Sequence, residues 1–171
     1  MSNILTIHLY GDPCLRKKST PIKTVTDSRR ELIQAMIATM REHKGIGLAA
    51  PQIGLNERLI VVDIGEGPWA LINPQVHLKE DVGKLEEGCL SMPGITVNVA
   101  RPQKIFVEYL DENNKKVHRE CQDLLARVIL HEIDHLDGRL IIDYAPLRQK
   151  LSLRKQLQKI KKEAKKQEVK K

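Results

Sequence analysis

His131-Glu132-Ile133-Asp134-His135 constrains this chain more than any other stretch. On an α-helix, residues four apart share a face. Two imidazoles then point the same way with a carboxylate beside them, an arrangement that binds one metal ion next to a general base. Leu124, Val128, His131 and His135 fall on related faces, with Asp123 as the expected cap and Gly138 where a C-cap glycine would sit. Such a segment packs against a core, and His and Glu buried there need partners. A solvated helix that carries the three side chains by chance fits this pattern poorly.

HExxH first suggests a zinc peptidase that cuts internal peptide bonds. The extended form of that motif needs another histidine three residues after a glycine; Gly138 is in place, but the position holds Ile141, which cannot ligate. A downstream glutamate is the other common third ligand, and the downstream glutamates here, Glu163 and Glu168, lie in a basic tail. The third ligand is therefore expected upstream. Cys89 is the best candidate, set in Glu87-Gly88-Cys89-Leu90-Ser91-Met92-Pro93-Gly94. Thiolates suit soft and borderline metals. One thiolate with two imidazoles leaves a coordination position open for water, as catalytic sites require. Cys14 and Cys121 read instead as small buried or half-buried thiols.

Around this segment the chain reads as α+β, with short antiparallel strands and hairpins packed around a central HExxH metal-binding helix and a basic C-terminal helix. Gly11-Asp12-Pro13 predicts an early turn. Asp27 is expected to cap a helix with Leu32, Ile33, Met36, Ile37 and Met40 on one face, stopped at Lys44-Gly45. Leu59 to Ile64 predicts a buried strand, and Ala70 to Val76 a weaker one broken by Pro74. Ile105, Val107 and Tyr109 alternate with Phe106, Glu108 and Leu110; the turn Asp111 to Asn114 and the return from Lys116 to Cys121 predict a hairpin. Leu140 to Asp143 is a further candidate strand. A length of 171 residues fits one catalytic domain over 1–146 and a basic helical extension over 147–171.

Composition excludes several functions. Aromatics are only 3%, too few for a base-stacking platform on single-stranded nucleic acid. No apolar run approaches a membrane span, and the first residues carry no secretory signature. Three irregularly spaced cysteines argue against a disulfide framework and for a reducing compartment.

A third segment, Gly45-Ile46-Gly47-Leu48-Ala49-Ala50-Pro51-Gln52-Ile53-Gly54, has glycines that let backbone approach a ligand closely, and Gln52 offers an amide donor. With Glu87–Ser91 (EGCLS) and His131–Gly138 (HEIDHLDG), in this order and spacing, the chain resembles the peptide deformylases over nearly the whole body. Two positions depart from the family pattern: Leu130, often Gln, and Thr96, where some members carry a substrate-facing Arg.

The resemblance implies removal of the formyl group from N-formyl-methionine at the start of nascent polypeptides, and the absence of a transit-like N-terminus favours a bacterial cytoplasm over an organelle. The resemblance also implies a divalent metal on Cys89, His131 and His135, Glu132 as proton carrier, and Gln52 with the Leu90 N–H as donors to the oxyanion. The Gly45-Ile46-Gly47 backbone would pair with the extended substrate, and Arg101 would pair with Glu87 behind the ligands. Fe2+ is the implied native ion; Zn2+, Ni2+ and Co2+ also suit this ligand set. A non-catalytic ribosome-binding relative is the other alternative, but it would need neither Glu132 nor Gln52.

The net charge of +7 is uneven. Residues 148–171 hold eleven Lys and Arg against two Glu, whereas the rest holds eighteen against twenty Asp and Glu. Leu153, Leu157, Ile160 and Ala164 form an apolar stripe in that tail, with fraying expected at Lys170-Lys171. A basic helix of this kind predicts docking on the ribosome's phosphate surface, without sequence-specific nucleic-acid recognition.

Overall fold

A computed structural model describes residues 3–169, so the expectation for Lys170-Lys171 lies outside the described residues. These residues form an α+β structure around an antiparallel five-stranded sheet in the order β1-β2-β3-β4-β5. The strands are β1 (Gly47–Ala49), β2 (Leu59–Val62), β3 (Trp69–Gly88), β4 (Thr96–Leu110) and β5 (Lys116–Gln122). The helices are α1 (Asp27–Glu42), α2 (Asp123–Leu136), α3 (Leu147–Ser152) and α4 (Arg154–Val169).

Both faces of β2 are covered, which is why it reads as an unbroken apolar run. Ile60 and Val62 join the core on the α2 side with Ile105, Val107, Ala126 and Ile129. Leu59 and Val61 join the core on the α1 side with Ile33, Met36 and Met40. On β4 the alternation extends further than expected: Val97, Val99, Arg101, Ile105, Val107 and Tyr109 are all buried. Arg101 thus occupies an inward position of β4.

Several local expectations change. β3 and β4 are long, at 20 and 15 residues. Pro74 does not break β3, because the register shifts between Ile72 and Gln75 and a bulge asks no ladder N–H of it. Asn73 stabilises that bulge at φ 53, its side chain bonding both N and O of Ile22. Leu140 to Asp143 forms no strand; Asp143 accepts from the Leu140 N–H and closes a 3-10 turn over Ile141–Tyr144. Thr26 and Gln122, not Asp27 and Asp123, are the N-cap residues. At the end of α1, Lys44 takes the left-handed conformation at φ 56. Gly138 does so after α2, at φ 73.

The tail is not a solvated appendage. Leu157 and Ile160 pack into a third core cluster with Met92, Ile95 and Leu140, and Ala164 is also buried. The chain just after Cys89 therefore rests partly on α4. Among the described residues no helix is long and apolar enough to cross a membrane.

Candidate active site

A cleft of about 600 Å³ opens between β1, the end of β3 and α2. Gly45, Gly47, Gln52, Cys89, Leu90, His131 and Glu132 line it. His135 lies deeper, with 1% of its surface exposed. The ligand atoms of Cys89, His131 and His135 all fall within 4.8 Å of one another, and Cys89 Sγ is 3.3 Å from His135 Nε2. The helix thus brings its two imidazoles against the cysteine from another strand end. This convergence fits a metal ion of borderline softness. His135 Nδ1 is buried without a hydrogen-bond partner in the described structure.

Behind the ligands lies a charged frame. Glu87 Oε2 accepts from His131 Nδ1 at 2.9 Å, which turns the Nε2 edge of that ring away from Glu87. Arg101 donates to both Glu87 oxygens at 2.7 and 3.0 Å and to Asp134 at 2.8 Å. Arg127 donates to Glu87 at 2.8 Å and to the carbonyls of Val99 and Gly83. Tyr144 donates to Asp134 at 2.8 Å. The expected Glu87–Arg101 pair is thus part of a wider network. Arg127, Asp134 and Tyr144 were not among the residues singled out from the sequence. Arg127 was the most findable, since it stands one helical turn before His131.

The titrations follow from this frame. Burial alone would push Glu87 up, but bonds from His131 and Arg101 outweigh it and hold the carboxyl at about 2. Burial would lower Arg101, yet Glu87 and Asp134 raise it. Burial pushes Glu132 up to about 7. Glu132 Oε2 has no partner in the described structure. A carboxyl poised near neutrality can both take and return a proton at working pH.

A depressed Glu87 contributes stability above its ordinary value of 4.5 that is lost as pH falls towards about 2. Glu87→Gln should therefore flatten the fall in unfolding free energy between pH 5 and pH 3, measured by urea titration. An unchanged slope would contradict the pairing.

Glycines set the approach of β1. A Cβ on Gly47 would run into the Glu132 carboxylate, and one on Gly45 would come within 2.8 Å of Leu90 Cδ1. Gln52 Oε1 accepts from the Ala49 N–H at 2.8 Å, which fixes the amide so that Nε2 faces Ser91 Oγ at 3.2 Å and Cys89 Sγ at 3.7 Å. Thr96 lies outside the cleft lining, and Leu130 is buried in the core. Cys121 is a buried core thiol as expected. Cys14 is half-buried, as expected, and lies beside His8 and Asp12.

The α+β fold brings a cluster of candidate metal ligands to a cleft wall beside a buried carboxylate, as a metal-dependent enzyme would need. The family model for polypeptide deformylase matches residues 4–151. A peptide deformylase of Thermotoga sp. (strain RQ2) is 43% identical over 152 residues, which covers 88% of this chain and 93% of that one. One from Chlorobaculum parvum is 44% identical over 165 residues, covering 92% and 88%. The solved structure of peptide deformylase from Thermus thermophilus superimposes with a TM-score of 0.89 at 40% identity, covering 94% of this chain and 99% of that one. The chain belongs to the polypeptide deformylase family, metal-dependent hydrolases that remove the N-formyl group from nascent polypeptides.

Proposed function

We propose that this chain deformylates N-formyl-methionyl peptides with a single Fe2+ held by Cys89, His131 and His135. The observation that carries the reading is the meeting of these three ligand atoms within 4.8 Å at a cleft wall that also holds Glu132 and Gln52. When bound, the ion supplies a nucleophilic water at neutral pH and polarises the formyl carbonyl. Glu132 Oε2 takes the proton as the water attacks the formyl carbon and returns it to the amine as the C–N bond breaks. Gln52 Nε2 and the Leu90 N–H donate to the oxygen that gains charge, an effect worth roughly 10²–10³ in rate per donor.

The edge position of β1 supports pairing of the substrate with Gly45-Ile46-Gly47. Asp63 N donates to Ile46 O, so the alternation of an antiparallel ladder turns the N–H and C=O of Gly47 to the open edge. Ile46, Leu124 and Val128 supply an apolar wall for the methionine side chain. Residues 1–146 act as the catalytic domain around the HExxH helix, with 147–171 as an extension that Leu157 and Ile160 pack against it.

Formyl-Met-Ala should release formate, whereas a peptide blocked at both ends should stay intact. Cleavage of the blocked peptide would favour the peptidase alternative.

Glu87 and Arg101 brace the ligand cluster from behind. Arg101→Ala should lower formate release by roughly 10–100-fold, the usual effect of losing an outer partner of a metal ligand. Unchanged kinetics would reduce the pair to a structural salt bridge.

The basic face of α4 is the proposed ribosome contact, and a bacterial cytoplasm is the proposed compartment. Because the inner stripe is buried, charge reversal tests this better than truncation. Lys155, Lys159, Lys162 and Lys166 are exposed. Changing them to Glu should weaken ribosome co-sedimentation at low salt and leave short-peptide hydrolysis intact. Undiminished co-sedimentation would refute the contact.

A further inference from the structure

A second convergence of metal-ligating side chains lies outside the cleft and shares no residue with the first. His8, Asp12 and Cys14 bring Nδ1, a carboxylate oxygen and Sγ within 4.8 Å of one another. Asp12 Oδ2 is 2.5 Å from His8 Nδ1, and Cys14 Sγ is 3.5 Å from the same nitrogen. A cysteine–histidine–aspartate relay would use opposite nitrogens of the ring, so this arrangement does not activate the thiol in that way. It is a convergence of three donors on one point.

The dimensions and chemistry suit an ion. The Sγ–Nδ1 separation of 3.5 Å is close to the edge of a tetrahedron whose Zn–S and Zn–N bonds are about 2.3 and 2.0–2.1 Å. The short Asp12–His8 contact is a hydrogen bond that an ion would replace, with the carboxylate opening by roughly 1 Å to reach a ligand-to-ligand spacing. Thiolate, imidazole and carboxylate together suit a borderline cation better than Mg2+ or Ca2+.

The surroundings hold the three donors in place. The Asp12 Oδ1 atom accepts from Cys14 N at 2.9 Å, capping the 3-10 turn Pro13–Arg16 and leaving Oδ2 turned to His8. His8 N donates to Gln52 O at 2.7 Å. The far edge of the His8 ring lies over Gly54, where a Cβ would come within 2.8 Å of Nε2. The ring therefore presents Nδ1 to Asp12 and Cys14. The His8 and Asp12 side chains are 13% and 11% exposed, open enough for an ion to enter yet largely shielded. Cys14 Sγ also lies 3.3 Å from Pro51 O. The cluster thus grips the turn Ala50–Ile53 that carries Gln52.

We propose that His8 Nδ1, Asp12 Oδ2 and Cys14 Sγ form a second divalent-metal site, of the zinc type, that pins the N-terminal segment to the turn bearing Gln52. Three protein ligands make it weaker than a closed four-ligand structural site.

The test is metal stoichiometry on the full chain. After equilibration with buffered Zn2+ and desalting, the wild type should hold two ions per chain. Cys14→Ser and, separately, His8→Gln should hold one, and that remaining ion should still be lost when Cys89→Ala is added. Co2+ loading of Cys89→Ala isolates the site by spectroscopy. A thiolate-to-Co2+ absorption band should persist in that variant and vanish when Cys14→Ser is added. One ion per chain in the wild type, with Cys14→Ser identical to it, would overturn the proposal whatever the fate of the Cys89 variant. The active-site reading stands or falls separately, on whether the remaining ion needs Cys89.

Discussion

Glu132→Gln should keep its full complement of metal and lose roughly 10²–10⁴ of its rate of formate release, the share that a positioned acid–base group supplies. Glu132 adjoins a proposed ligand without being one, so metal content has no reason to fall. Glutamine has nearly the same shape, which matters where β1 passes so close that Gly47 has no room for a side chain. What the amide cannot do is accept a proton from water and return it to the amine. Burial already holds the native carboxyl at about 7, between carrying and releasing that proton. Retention of near-normal turnover would show that the proton travels by another route.

Cys89→Ala should have the opposite signature. Removing one of three protein ligands should weaken metal binding by more than the roughly 10–100-fold that loss of an outer partner costs. Activity should fall with occupancy. Full occupancy of the HExxH centre in this variant, measured in a Cys14→Ser background, would contradict the ligand set. The two variants together separate holding the ion from using it.

The parts of the site carried by regular periodicity were legible from residues alone. His131 and His135 share a face because they are one turn apart within an apolar-periodic segment, and α2 spans them. The alternation of Ile105, Val107 and Tyr109 likewise gave the strand its inward face. What stayed hidden depended on tertiary context. Pro74 reads as a strand breaker until Ile22 supplies partners for Asn73 at the bulge. Leu140 to Asp143 is apolar enough for a strand, but the Asp143 carboxylate folds back on the Leu140 N–H. Asp134 looks like a spacer inside HExxH until Arg101 reaches it from β4 and Tyr144 from the following turn. Cys14 reads only as a half-buried thiol because its partner His8 lies six residues earlier on an irregular segment, where no periodicity brings the two together.

Formate release from a formyl-methionyl peptide, followed before and after treatment with a strong chelator and again after anaerobic addition of Fe2+, tests the central claim most directly. Activity should be present at first, vanish when the ion is stripped, and return as Fe2+ is restored. Formate release that survives complete removal of the metal would contradict an ion held by Cys89, His131 and His135 as the source of the chemistry.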